Sequence, residues 1–276
     1  VDLYCQGDIQ FVINTQPGSE ARQRFDELGP SVCAMGLVAP DPVQAANRAA
    51  ALLSARHTSP LGPNELQLPA IISPGGAVVH FVHAGSTLDA DFVAPVPRAP
   101  VPQAGGLTHV DHMALALAHD QLDTWTLFAQ SILGLSAGES LELADPFGLV
   151  RSCALSNAQR SLRMVLNVSK SQRTRTAQQV RATGRSGGGV HHIALATQDI
   201  FATVQTLQAQ GVKWLPISPN YYEDLLARLD LDEGLVRRMQ ALNIVADVSP
   251  GGGRFLHAYT EPFADRFFFE VVQREG

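Results

Sequence analysis

The sequence predicts an α+β protein of tandem βαβββ modules, each one strand, one helix and about three more strands, with mixed sheets curled around a cavity and helices outside. Three observations carry this. The pattern His-(Met/Ile)-Ala-Leu-Ala occurs twice, at His112 to Ala116 and His192 to Ala196, eighty residues apart. Each copy is followed by an amphipathic helix that opens near an aspartate, Asp120 or Asp199. A proline-rich stretch precedes the pair, and before it lies a further set of strands with a helix.

Taken in order, Leu3-Tyr4 and Ile9 to Ile13 are predicted strands joined by the turn Gln6-Gly7-Asp8. Ser31 to Val38 is an apolar run. Asp41 to Ser54 is alanine-rich, a helix whose start is marked by Asp41 and Pro42. Ala70 to Ile72 and Ala77 to Val82 follow as strands around Ser73-Pro74-Gly75-Gly76. Between Asp91 and Gly106, Pro95, Pro97, Pro100 and Pro102 alternate with small apolar residues and end in Gly105-Gly106, an extended linker. The predicted division is therefore residues 1–94 as an N-terminal domain, 95–106 as linker and 107–276 as a C-terminal domain.

In the second part a strand holds His112, and Leu122, Trp125, Phe128, Ala129 and Ile132 share one helical face. Gly148 to Leu155 and Leu162 to Val168 are strands. The second copy repeats the order with the His192 strand, a helix carrying Phe201, Val204, Leu207 and Gln208 on one stripe, and the segment Gly211 to Trp214. Asn220 to Asn243 is a charged helical excursion, and Arg254 to Tyr259 and Arg266 to Gln273 are the last strands.

Composition narrows the function classes. At 276 residues and 45% hydrophobic content the chain can bury a sizeable core. Net charge is -6, and the basic residues are scattered apart from Arg173, Arg175, Arg181 and Arg185, which are expected in a solvated loop, so nothing marks a nucleic-acid surface. Cys5, Cys33 and Cys153 fit neither a disulfide framework nor a Cys-x-x-Cys pattern, which suits a reducing cytoplasm. No apolar run approaches the roughly 20 residues needed to cross a bilayer.

The chemistry concentrates in three segments. Alternate strand residues share a face, so His112 sits with Val110, Ala114 and Ala116, and His192 with Val190, Ala194 and Ala196. Small neighbours leave room before each imidazole. Glu270 stands in a bulky apolar strand, where an unpaired carboxylate is costly. Two imidazoles and a carboxylate converging inside a sheet suggest a divalent metal. Two alternatives stay open: His109 competes with His112 as a ligand, and Glu270 pairs with Arg266 or Arg274 instead of a metal.

At these residues the chain resembles 4-hydroxyphenylpyruvate dioxygenase, of the vicinal-oxygen-chelate superfamily, over nearly its whole length. The matching segments are Leu3 to Ile9, Gly29 to Met35, Val110-Asp111-His112, Gly189 to Ala194, Tyr221-Tyr222-Glu223 and Phe268 to Arg274. The resemblance implies a metal-free N-terminal domain and Fe(II) held by His112, His192 and Glu270 in the C-terminal one, with Mg, Mn, Co or Zn as other divalent candidates. It also implies that a strand and a helix precede Val1 and a closing helix follows Gly276, so that the sequence is expected to be either a piece of a longer protein or one with some residues left out. The chain departs from the dioxygenase at His191, where that family has Gln, at Leu166-Asn167-Val168-Ser169, where it has Leu-Asn-Glu, and at Leu256-His257-Ala258-Tyr259, where it has Leu-Gln-Ile-Phe.

Those departures resemble the dioxygenase-like C-terminal domain fused to bacterial 3-dehydroshikimate dehydratases, as do Asn220 to Leu225 and Leu256 to Phe263. In such fusions a separate N-terminal barrel converts 3-dehydroshikimate to protocatechuate, a lyase step of quinate and aromatic-compound catabolism. The expectations are a small 2-oxo acid or an aromatic or shikimate-type ligand, a dehydratase barrel in the same protein, a homo-oligomer, and neither nucleic acid nor membrane as partner. His257, Asn167 and Tyr259 are the candidates for orienting substrate. The alternatives are an Fe(II)-dependent dioxygenase acting on 4-hydroxyphenylpyruvate or a related 2-oxo acid, and a glyoxalase-like isomerase or lyase with a redox-inert ion.

Overall fold

Glycine, aspartate and proline set the turns, and apolar alternation sets the strands between them. The computed structural model describes residues 1–59, 65–85, 92, 105–145, 147–182, 188–248 and 252–275. The chain packs as two compact units interleaved in sequence: Val1–Tyr4, Val12–Pro97 and Met113–His191 in the first, and Cys5–Phe11, Arg98–His112 and His192–Gly276 in the second. Apart from Gly105 and Gly106, the predicted 95–106 linker lies outside the described residues.

The chain opens with β1 (Asp2–Gln6) and β2 (Ile9–Ile13), the predicted hairpin. Its turn needs glycine: Gly7 has φ 55°, and a Cβ there would collide with the carbonyl oxygen of Thr108. The first unit continues through α1 (Glu20–Leu28), β3 (Ala34–Val38), α2 (Pro42–Ala51), β4 (Arg56–His57), β5 (Ala70–Ile72) and β6 (Val78–Val82). Its strands order β3-β6-β5-β4, with β3 parallel to β6. Asp41 caps α2 by accepting from the Gln44 N–H at 2.8 Å, and Pro42 occupies the first turn.

The strand β7 (Leu107–Leu117) crosses from the second unit into the first. In the first unit its Met113 to Leu117 half runs parallel to β10 (Arg163–Val168), which pairs antiparallel with β9 (Gly148–Ser156), and β9 with β8 (Ser136–Asp145). Between them α3 (Leu122–Ser131) buries Leu122, Trp125, Phe128 and Ala129, the predicted face without Ile132. One expectation is overturned here: Arg175 belongs to α4 (Arg175–Ala182), which also takes in Arg181, rather than to a loop. Fully buried Thr174 accepts from the Ala177 N–H and so caps the helix, while Thr176 and Ala177 bury one side and the arginines take the other.

The second unit holds β11 (Gly189–Thr197), which begins in the first, then α5 (Ile200–Ala209), α6 (Pro219–Arg228), α7 (Glu233–Ala241), β12 (Val245–Val248), β13 (Arg254–Tyr259) and β14 (Phe268–Glu275). Strand order is β12-β13-β14-β11, with the Leu107 to His112 half of β7 next to β11. Asp199 and Asp232 cap α5 and α7 through the Ala202 and Leu235 N–H groups. Register sorts the side chains. Tyr259 pairs with Glu270 and His257 with Val272 across β13 and β14, while His192, Ala194 and Ala196 pair with Phe268, Glu270 and Val272 across β11 and β14. These residues therefore share one face. On the other, Leu256, Ala258 and Val271 pack with Ile200, Val204, Tyr222, Leu225, Val236 and Met239 in one apolar cluster beneath the helices.

Candidate metal centre

Strand alternation delivers the three predicted ligands to one place, all within the second unit. His112 Nε2 lies 3.3 Å and His192 Nε2 3.2 Å from Glu270 Oε2. The ligand atoms fall within 4.8 Å of one another, and theirs is the one such group of His, Cys, Asp or Glu among the described residues. Glu270 is 2% exposed, so its charge is met by side chains instead of water. Burial alone would raise its pKa, yet His112, His192 and His257 together hold the carboxyl well below its usual range. A buried carboxylate between two imidazole nitrogens suits a divalent ion of borderline softness, and the donor set fits iron, manganese, cobalt or zinc better than calcium or magnesium.

Each ligand has a reason for its orientation. His112 Nδ1–H donates to Asp111 at 2.9 Å, which leaves Nε2, the nitrogen facing Glu270, as the one that could ligate an ion. Asp111 in turn accepts from Arg274 Nε at 2.9 Å and Nη2 at 2.7 Å, and the guanidinium lies 4.5 Å over the Phe255 ring. Burial pulls the His112 pKa down, but the Asp111 and Glu270 partners outweigh it and hold His112 at about 9. His192 is stacked on Phe268 at 4.8 Å and meets the His112 ring edge-on at 5.7 Å.

Two of the competitors, His109 and Arg274, stand elsewhere. His109 is exposed, with Nδ1 2.9 Å from Thr108 Oγ1, and is not in the cluster. Arg274 pairs with Asp111, a contact without any local sign in the chain, since 163 residues separate the two.

Of the substrate-orienting candidates, two stand with the triad. His257 Nδ1 lies 3.0 Å from Glu270 Oε1 and Nε2 3.3 Å from Asp247, neither aligned for a hydrogen bond. Burial works against its charge, but the two carboxylates raise it to about 9. Tyr259 meets the edges of His257 at 5.1 Å and Phe268 at 5.7 Å, and burial pushes its phenol well above the usual range. Asn167 is half-buried on β10 in the first unit, opposite Ala116 and Ser152. Sequence reasoning missed Asp111, Arg274 and Asp247 as supports of the site. The sequence signal for Asp111 was its place directly before His112.

Comparison with known proteins follows the same lines. The model for the hydroxyphenylpyruvate dioxygenase N-terminal domain matches residues 1–93, and that for the glyoxalase/bleomycin resistance protein/dioxygenase superfamily matches residues 106–233. A 3-dehydroshikimate dehydratase of Pseudomonas putida is 40% identical over 280 residues, covering 100% of this chain and 43% of that protein. A 4-hydroxyphenylpyruvate dioxygenase of Legionella pneumophila is 30% identical over 281 residues, covering 100% of this chain and 79% of that protein. Among solved structures, a xylose isomerase-like TIM barrel/4-hydroxyphenylpyruvate dioxygenase fusion protein matches with TM-score 0.81 and 38% identity, over 99% of this chain and 43% of that one. The chain thus spans under half the length of the dehydratase and the fusion protein. No helix among the described residues is long and apolar enough to cross a membrane.

Proposed function

The chain belongs to the 4-hydroxyphenylpyruvate dioxygenase family of the vicinal-oxygen-chelate superfamily, and from that premise we propose that it is the metal-binding, dioxygenase-like domain of a bacterial 3-dehydroshikimate dehydratase. In this reading residues 1–94 form the metal-free domain, 95–106 the linker and 107–276 the metal domain. Dehydration of 3-dehydroshikimate to protocatechuate is carried by a separate barrel in the same protein, the counterpart of the TIM barrel in the solved fusion protein. The observation that carries the proposal is a triad of dioxygenase type beside His257, where the dioxygenase has Gln, in a chain 40% identical from end to end to a dehydratase.

His112, His192 and Glu270 would hold a divalent ion, iron(II) by family. When bound, it supplies Lewis acidity and open positions for a chelating small molecule such as a 2-oxo acid or an aromatic or shikimate-type acid. The protein's part is orientation: Asp111 fixes the His112 tautomer, Phe268 fixes the plane of His192, and His257 and Tyr259 face the ligand side.

Metal analysis of protein purified without chelators tests the centre. One divalent ion per chain is expected, and its loss in both His112→Ala and Glu270→Ala; equal metal content in either variant would count against it. Oxygen uptake by the iron-loaded protein with 4-hydroxyphenylpyruvate tests the second reading, that of an active dioxygenase, which the intact triad favours. We expect none; turnover would replace the first reading with the second.

A further inference from the structure

Glu270 turns its two oxygens to different partners. Oε2 faces the His112 and His192 nitrogens at 3.3 and 3.2 Å, the side on which an ion is held in the reading above, on which this inference rests. Oε1 faces His257 Nδ1 at 3.0 Å. The imidazole is not free to swing away. It is stacked on Phe255 at 4.6 Å and 29°, meets Tyr259 edge-on, and is 6% exposed. Its far nitrogen is 3.3 Å from Asp247, on the neighbouring strand, whose carboxylate reaches solvent.

An ion bound by both carboxylate oxygens would need the lone pairs of Oε1 as well as those of Oε2. A ring nitrogen at 3.0 Å, wedged there by its aromatic neighbours without the alignment of a hydrogen bond, already occupies that approach. We propose that His257 is a positioning residue that restricts Glu270 to one-oxygen coordination, with Asp247 holding the imidazole in place. The ion then keeps a further position open for its ligand.

The test uses Co2+ alone as the probe on the purified chain, read by visible d–d absorption and by the X-ray absorption shell count. His257→Ala is expected to add one oxygen to the cobalt shell and weaken the visible bands. His257→Gln, whose planar amide can still fill the approach to Oε1, is expected to keep the wild-type spectrum. Asp247→Asn, at an exposed side chain, is expected to fold and to shift the spectrum in the alanine direction. An unchanged shell in His257→Ala overturns the inference, as does a glutamine variant that departs as far as the alanine one. If His257→Ala does not fold, a wild-type spectrum in Asp247→Asn overturns it. Cobalt binding that His112→Ala leaves intact removes the metal reading itself, and this inference with it.

Discussion

Asp111 is the residue whose loss separates support of the metal from support of the fold. Its carboxylate fixes His112 Nδ1 at 2.9 Å and takes two donors from Arg274 at 2.9 and 2.7 Å. Asp111→Asn keeps the volume and one acceptor oxygen but removes the charge. Breaking a buried pair costs about 3–5 kcal/mol, whereas an exposed pair contributes about 0–1 kcal/mol. The Asp111 side chain is 3% exposed and that of Arg274 44%, so screening brings the loss to about 2 kcal/mol. Losing the partner that orients a ligating histidine typically weakens metal affinity about 10–100-fold. Urea unfolding of the metal-free protein and competitive Zn2+ titration measure the two effects separately. Arg274→Met keeps an apolar stem on Phe255 and leaves Asp111 to His112, so it should show the stability loss with little change in affinity. An Asp111→Asn variant that binds Zn2+ within about threefold of wild type, below the range expected for such a partner, would refute the assignment of Asp111 as the residue that orients His112.

Glu270→Gln removes a ligand and should weaken binding beyond the roughly 100-fold upper range for an orienting partner; it also takes one carboxylate from His112, so NMR titration should find that imidazole below its present value of about 9. In the metal-free protein the raised His112 contributes stability that is full below 6.5 and lost as pH rises through about 9, while binding an ion requires that proton to leave. The melting-temperature gap between Co2+-loaded and metal-free protein should therefore widen from pH 6.5 towards 9, and a constant gap would refute the linkage. Ala264 and Asp265 both have positive φ, 50° and 56°, in the turn before β14; Ala264→Gly relieves the first and should stabilise by about 0.5–1 kcal/mol, read as a rise in melting temperature. Leu225, fully buried on the inner face of α6, should cost about 2–5 kcal/mol on truncation to Ala, with metal content per folded chain unchanged.

What was legible in the sequence was what strand alternation encodes locally. His112 and His192 could be placed on one face with their alanines because the period of a strand is two, and Glu270 stood out because its neighbours are apolar. The elements that escaped lack such a signature. The strand β8 is exposed along nearly its whole length, so Leu141 and Leu143 mark no buried face. The helix α1 buries only Leu28, and α4 presents its arginines to solvent, so each lacks the apolar stripe that announces a helix. Around the site the same distinction holds. Asp111, Arg274 and Asp247 act through partners that the fold supplies: Arg274 reaches Asp111 across 163 positions, and Asp247 reaches His257 only because β12 and β13 are paired. Because the triad residues are specified along single strands and their supports across strands, a sequence can keep the triad intact while the groups around it change. In the function proposed, His257 has changed in that way: it stands where the resembled dioxygenase has glutamine and faces the second oxygen of Glu270.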